Sequence, residues 1–244
     1  MPALFVSDLH LCSGRPGKLA LFLKLLQEAA GRQDALYILG DLFEAWAGDD
    51  DDTPPHPEII SALADFTRAG GSLFIMRGNR DFLLGRNFAA KTGGKLIDDP
   101  TVVELGGKKL LLMHGDTLCT GDIKYQIYRR IVNNRFTINL FLTVPFVLRR
   151  RIWHGIRGMT RGTAPGKPPS IVDVHQATVE KTMRKYRVHD LIHGHTHRQG
   201  VQEFLLDDQK ARRYVLGDWY EGDSVLVAGA NGLRLMGVQE YLKL

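Results

Sequence analysis

Cysteine is scarce in this 244-residue chain: Cys12 and Cys119 are the only two. Two thiols cannot make the disulfide framework of a small secreted scaffold, and the N-terminus has no signal-peptide pattern, so a reduced, cytosolic chain is expected. No apolar run approaches the roughly 18 residues needed to cross a bilayer, which argues against a spanning protein. There is no low-complexity tract and no repeat at a solenoid period. With 44% apolar and 24% charged residues, the composition is that of an ordinary globular protein. At this length it can bury a substantial core.

Acidic residues are almost missing from one segment. Between Asp122 and Pro169 there are ten basic residues and one acid, Asp122, a local charge of +9; the rest of the chain is then at −4, since the whole is at +5. The basic excess is therefore confined to one segment. Around it, short apolar runs alternate with helical periodicity. Ala3 to Val6, Leu36 to Leu39, Leu73 to Met76, Lys109 to Met113 and Leu191 to Ile192 read as buried strands. Helices are expected at Leu19 to Ala30, Glu58 to Thr67, Asp81 to Lys91 and Val172 to Tyr186, and the chain from Val201 onward reads as strand-rich. This is an α/β chain, one domain over 1–244 interrupted by a basic insertion at about 121–169.

Each predicted core strand runs into a polar cluster. The clusters are Ser7-Asp8-Leu9-His10, Gly40-Asp41, Gly78-Asn79-Arg80-Asp81, His114-Gly115-Asp116 and His193-Gly194-His195-Thr196-His197. Open α/β sheets bind ligands outside the carboxyl ends of their strands, so all five clusters are expected along one sheet edge. Singly, each is weak: Asp-x-His is common by chance, Gly-Asp often marks a turn, and His-x-His is often structural. Jointly they supply imidazole, carboxylate and amide oxygen without thiolate, a set suited to Mn²⁺, Mg²⁺, Fe²⁺ or Zn²⁺. Asp8, His10, Asp41, Asn79, His114, His195 and His197 are too many donors for one ion and suit two that share a carboxylate. Such a pair clamps in-line displacement at phosphorus.

The order D-x-H, G-D, G-N-x-D, H-G-D, G-H-x-H resembles the calcineurin-like metallophosphoesterases. That resemblance implies a double β-sandwich flanked by helices. It assigns Asp8, His10 and His197 to one ion and Asn79, His114 and His195 to the other, with Asp41 bridging. Where most members have histidine after the asparagine, this chain has Arg80. Arginine is no practical general acid at neutral pH, but its planar fork grips phosphate oxygens, which suits a diphosphate. Catalysis is thus expected to rest on Asp41, His114 and Arg80. The stretches LYILGDLFEAWAGDDD, GNRDFLLG, LLMHGDTLC and LIHGHTHR narrow the resemblance to the UDP-2,3-diacylglucosamine hydrolases of lipid A biosynthesis. They imply Mn²⁺-dependent attack of water on the α-phosphorus, giving UMP and 2,3-diacylglucosamine 1-phosphate. They also imply a peripheral protein on the cytoplasmic face of the bacterial inner membrane.

The insertion has three readings on its residues alone. Asn134 to Leu148 is rich in Phe, Leu, Ile and Val and is followed by Arg149, Arg150, Arg151 and Trp153. That suits an interfacial helix on anionic lipid, a helical pair packed on its own domain, or a nucleic-acid surface. The resemblance favours a helical lid over acyl chains, with its basic residues facing diphosphate and membrane, and no stable nucleic-acid partner. Family substrate contacts carry over to Asn79, Arg80, Asp122, Lys167 and His195. Thr160 stands where many relatives have serine. Ala164 stands where asparagine is usual and offers no polar group, with Thr163 beside it. The acid run Asp49 to Asp52 is expected to be a solvated loop. His193, His56, His154, His175 and His189 are not expected to be ligands, and Gly217-Asp218-Trp219 is expected to support the site from behind. A nucleotide or nucleic-acid phosphoesterase would need no apolar insertion, and a non-catalytic scaffold would be expected to have lost donors.

Overall fold

The computed structural model describes residues 2–32, 34–161, 173–230 and 232–243. Two sheets stack face to face. The first has the order β11-β10-β1-β2-β3-β4, with β1 (Ala3–Val6), β2 (Ala35–Leu39), β3 (Ser72–Met76) and β4 (Lys95–Ile97) parallel and β10 (Ser224–Gly229) and β11 (Gly232–Gly237) added by antiparallel pairing. The second has the order β5-β6-β7-β9-β8. Here β6 (Lys108–Met113), β7 (Asp190–His193) and β9 (Gln209–Val215) are parallel, and β5 (Thr101–Leu105) and β8 (Gly200–Leu206) form antiparallel edges.

Alternation of side chains explains why the central strands are apolar at every position. Phe5, Tyr37 and Leu39 point inward to meet Leu110, Leu112, Ile192 and Tyr214 of the other sheet. Tyr37 stacks between Phe5 and Phe74, at ring separations of 4.9 and 4.5 Å. Their neighbours Leu4, Val6, Leu36 and Ile38 point outward onto α1 (Pro16–Gly31) and α2 (His56–Arg68), whose Phe22, Leu25, Ile59, Leu63 and Phe66 lie at helical spacing. On the far face Leu111, Met113 and Leu191 pack against Val179 and Met183 of α7 (Gln176–Tyr186). Full burial of each large side chain contributes about 1.5–3 kcal/mol, so this four-layer core carries the fold.

The expected strands and helices are present, with instructive differences. The helix expected from Asp81 starts only at Arg86, as α3 (Arg86–Thr92). Asp81 is withdrawn because its carboxylate accepts the N–H groups of Gly78, Asp41 and Leu42, and so holds the loop in a non-helical path. β4 and β5, short and partly exposed, escaped a reading based on apolar runs. The helix expected from Val172 begins at Gln176, and residue 172 lies outside the described residues. The five polar clusters do not share one sheet edge: three belong to the first sheet and two to the second, and the two rims converge.

Within its described residues the insertion forms three helices, α4 (Ile123–Val132), α5 (Arg135–Leu142) and α6 (Phe146–Arg161). Asp122 caps α4 by accepting the Tyr125 N–H, and Asn134 caps α5 by accepting the Phe136 N–H. Pro145 lies in the turn that divides the apolar stretch in two. Among the described residues no helix is long and apolar enough to cross a membrane. A four-residue helix, α8 (Val238–Tyr241), closes the chain.

Candidate two-metal centre

Leaving a strand abruptly and turning a polar side chain back over the sheet rim requires unusual backbone. Asp8, His10, Asp41, His195 and His197 all have positive φ, between 47° and 68°. This left-handed region costs a non-glycine residue on the order of 1 kcal/mol or more, and concentration of such strain at one rim points to function. Close packing there demands glycine. A Cβ on Gly78 would lie 2.1 Å from Asp41 Oδ1, and one on Gly194 would lie 2.2 Å from Asp8 Oδ2.

The seven predicted donors come together. Asp8 Oδ1 lies 3.4 Å from His197 Nε2 and 3.8 Å from His10 Nε2, and the two imidazole nitrogens are 3.4 Å apart. Asp41 reaches both halves of the site: Oδ2 is 3.8 Å from His10 and Oδ1 is 3.9 Å from His114. Asn79 Oδ1 sits 2.9 Å from His114 Nε2 and 3.1 Å from His195 Nδ1. Among the described residues two groups could hold a cation: Asp8, His10 and His197, and Asp8, Asp41 and His114. Asp8 is thus common to both groups, while Asp41 belongs to the second and also faces His10 of the first. Asp8 Oδ1 and His10 Nδ1 are buried without a hydrogen-bond partner among the described residues. An orphaned carboxylate oxygen facing imidazole nitrogens is costly unless a cation occupies the space. The donors are oxygen and nitrogen throughout, so the set fits divalent ions.

The electrostatics express the same strain. Burial would raise the Asp8 carboxyl, but His197, His114 and His10 outweigh it and hold it well below the usual carboxylate range. Burial, with the charges of Asp81 and Asp8, pushes Asp41 up to about 7. Burial works against protonation of His114, yet Asp41, Asp8 and Asp116 raise it to about 9. His195 is depressed to about 4, first by burial and then by His114. Protons and metal ions compete for such groups, so binding of a cation would release protons.

Surrounding residues hold the donors in place. His114 Nδ1 is 2.9 Å from the Leu39 carbonyl. The His195 N–H donates to Asp8 Oδ2 at 2.7 Å. Asp218 Oδ2 lies 3.2 Å from His197 Nδ1, the supporting role expected for that segment. His193 is buried beside the site and bonded to the Gly194 carbonyl, outside both donor groups. The Arg80 N–H donates to Asp41 Oδ1, and its guanidinium lies 3.6 Å from Asp41 and bonds Glu44 at 3.1 Å. Glu44 was missed by the sequence reading, as were Arg15 and Tyr220, which donate to it at 2.9 and 2.7 Å. Glu44 stood inside a quoted motif, but nothing in its spacing set it apart.

The insertion is rooted at the opposite flank. Tyr125 donates to Asp116 at 2.8 Å and its ring lies 6.1 Å from that of His195. Arg129 binds Asp116 and Asp99. Asp122, one of the expected substrate contacts, caps this same helix. Thr160 falls within α6, but its side chain and all of Thr163, Ala164 and Lys167 lie outside the described residues, as does the side chain of His154.

Two expectations about charge are corrected. The acid run is a loop, and Asp50 and Asp52 are exposed as expected, but it is not free of the fold: Asp49 accepts three N–H groups at the start of α3, Asp50 pairs with Arg149, and Asp51 is buried against His56 and the Ala47 and Thr53 N–H groups. Arg149 in turn does not face membrane or diphosphate. It is buried, 3% exposed, and donates to the carbonyls of Ala47 and Val144. Phe141 and Ile138 likewise pack partly on the sandwich core, whereas Phe136, Leu140, Val147 and Leu148 are exposed.

Comparison with known proteins agrees with this geometry. The calcineurin-like phosphoesterase family model matches residues 1–199. A protein of Aeromonas salmonicida named UDP-2,3-diacylglucosamine hydrolase is 47% identical over 235 residues, 96% of this chain and 92% of its own. Proteins of the same name from Escherichia coli and Salmonella agona are 44% and 47% identical, over 97% and 95% of this chain and 98% and 97% of theirs. Among solved structures, a phosphoesterase from E. coli aligns with 98% of this chain and 94% of its own at 16% identity and a TM-score of 0.48. A chain that matches the family model from its first residue through the last histidine of the metal rim belongs to the calcineurin-like phosphoesterases.

Proposed function

We propose that this hydrolase cleaves UDP-2,3-diacylglucosamine into UMP and 2,3-diacylglucosamine 1-phosphate, in lipid A biosynthesis. The observation that carries the reading is a juxtaposition: a rim of oxygen and nitrogen donors stands beside helices that expose Phe136, Leu140, Val147 and Leu148. A diphosphate joined to two acyl chains needs both. Asp8, His10 and His197 would hold one divalent ion and Asn79, His114 and His195 the other, with Asp41 between them; Mn²⁺ suits the set. When bound, such ions lower the pKa of water and neutralise charge on phosphoryl oxygens.

The chain's own residues orient the reaction. Water attacks the α-phosphorus, the bond from that phosphorus to the bridging oxygen breaks, and the oxygen leaves with the glycolipid phosphate. Arg80 meets the charge that develops, and Glu44 and Asp41 hold its guanidinium at the rim. Asn79, Arg80, Asp122, Thr160, Lys167 and His195 contact the substrate. Ala164 has no polar group to offer, and Thr163, next to it in sequence, is the proposed substitute. The exposed apolar residues of α5 and α6, flanked by Arg150 and Arg151, settle the protein on the anionic cytoplasmic face of the inner membrane. No nucleic-acid partner is required.

Activity on UDP-2,3-diacylglucosamine and on bis(p-nitrophenyl) phosphate, with and without Mn²⁺, tests this. Metal-dependent cleavage of the glycolipid is expected, with oxygen from isotopically labelled water appearing in UMP. Cleavage of the soluble diester alone would refute the assignment.

A further inference from the structure

The donor rim has two flanks, and they differ in what they offer. On the His114 and His195 flank stand Tyr125 and the capped start of the insertion, where the glycolipid half of the substrate belongs. On the His10 and His197 flank stands a separate cluster. The Tyr220 ring lies 4.7 Å from that of His10 and 5.9 Å from that of His197. The Arg15 guanidinium is 4.0 Å from the centre of the Tyr220 ring and also bonds the His10 carbonyl at 2.9 Å. Lys18 of α1 donates to the carbonyl of Gly222 at 2.7 Å, so the loop bearing Tyr220 is tied to the same helix that follows Arg15.

Glu44 receives Arg15 on one oxygen and Arg80 on the other, at 2.9 and 3.1 Å. Two guanidiniums share that carboxylate, and Arg15 Nη1 is left buried without a hydrogen-bond partner among the described residues. A planar guanidinium held over an aromatic ring beside a metal site is arranged to receive a phosphate. Space lies across Glu44 from Arg15 and Tyr220: a cavity of about 370 Å³ is lined by Cys12, Ser13, Glu44, Thr53, Arg150 and Trp153 among others. That volume is within the range of small-molecule clefts, roughly 300–1,000 Å³. Trp153 supplies a flat aromatic wall and is itself packed on Phe82 at 5.3 Å.

We infer that Arg15, stacked on Tyr220, and the adjoining cavity form the subsite for the nucleotide half of the substrate, Arg15 binding its phosphate and the cavity its nucleoside. This rests on the proposed function for the identity of the nucleotide. The diphosphate then spans the metal rim, with lipid and nucleotide on opposite flanks, and the two products leave from different sides. Arg15 is a binding residue here, and Glu44 a positioning residue that aims Arg15 and Arg80 together.

Product inhibition separates the flanks. Hydrolysis of bis(p-nitrophenyl) phosphate by the metal-loaded enzyme would be inhibited with UMP, with inorganic phosphate and with 2,3-diacylglucosamine 1-phosphate. Arg15→Met should raise the inhibition constant of UMP by roughly tenfold or more, the loss of a hydrogen bond to a charged group. Arg15→Lys should raise it less. The constant for the glycolipid phosphate should move by less than about twofold, an effect within the noise of substitutions that do not touch a ligand. Ser13→Trp, which fills the cavity, should weaken UMP but not inorganic phosphate. Metal content measured alongside shows whether the Arg15 variants retain the rim. An unchanged UMP constant, an equal loss for both products, or a wild-type enzyme indifferent to UMP would overturn the subsite. A wild type that fails to cleave UDP-2,3-diacylglucosamine yet keeps the Arg15-dependent UMP effect would overturn the substrate instead, leaving a nucleotide subsite in place.

Discussion

The metal rim and the helical insertion are opposite kinds of surface. At the rim, polar groups are buried, backbones are strained and almost every donor is oriented by a second polar group. In the insertion, apolar side chains such as Phe136 at 76% and Ile123 at 68% are exposed, while Arg149 is hidden at 3%. The rim inverts the ordinary rule by burying charge, the insertion by exposing oil, and both inversions cost stability unless something binds. Function is thus written twice: as unsatisfied polar groups at one place and as unsatisfied apolar surface at the other.

The contrast breaks most sharply at Asp41. Asp41→Ala removes the carboxylate that faces both His10 and His114, so hydrolysis should fall by more than about 10³-fold, with less bound metal. Two ions per chain found in that variant by metal analysis would show that Asp41 does not join the sites. Arg80→Ala touches the same rim without supplying a donor. Its turnover should drop about 10²-fold, as for loss of a transition-state donor, with metal content intact; wild-type turnover would remove Arg80 from the chemistry.

The insertion sharpens the comparison through three neighbouring arginines. Arg149→Met strands the Val144 and Ala47 carbonyls and should lower folding stability by about 2–3 kcal/mol, read by thermal unfolding. Replacing Arg150 and Arg151 by Ser should leave the melting temperature nearly unchanged. That variant should instead lose binding to anionic vesicles by roughly tenfold at low salt, an effect that added salt erases. Should all three arginines behave alike, the separation of buried anchor from membrane-facing charge is wrong.

The smallest effect is expected at Asp51. Burial would raise its carboxyl, but hydrogen bonds from His56 and Thr53 hold it down to about 2, below the ordinary 3.8. Because the folded value is the lower one, its stabilising contribution is complete above about pH 4 and is lost as pH falls through 2. Asp51→Asn should cost on the order of 1 kcal/mol at neutral pH, after allowance for solvent screening. Denaturation curves of the two proteins should converge between pH 4 and pH 2. A gap that persists at pH 2 would assign the effect to packing against His56 rather than to charge.

All seven residues that meet at the rim were legible in the sequence because each follows a buried strand, and strands buried on both faces announce themselves as unbroken apolar runs. The insertion was legible as a composition, basic and apolar without acid. Its described helices were not separated, because the stretch before Arg149 stays largely apolar through the turn between α5 and α6. Asp81 was read as helical since its neighbours are; its role in fixing the loop depends on three N–H groups, two of them some forty residues away in sequence.

By itself, then, the sequence determined which polar residues reach the rim, the strands that carry them and the place of the charge excess, for these follow from residue type and local period. Tertiary structure alone decided that the rim residues come from two sheets, that Glu44 joins Arg15 to Arg80, and that Arg149 is a buried anchor while Arg150 stays exposed at the cavity wall. The physical reason is common to all three. Hydrogen bonds and ion pairs act over about 3 Å, whatever the sequence separation, and Arg149 meets Asp50 across a sequence gap of 99 residues that no local pattern spans.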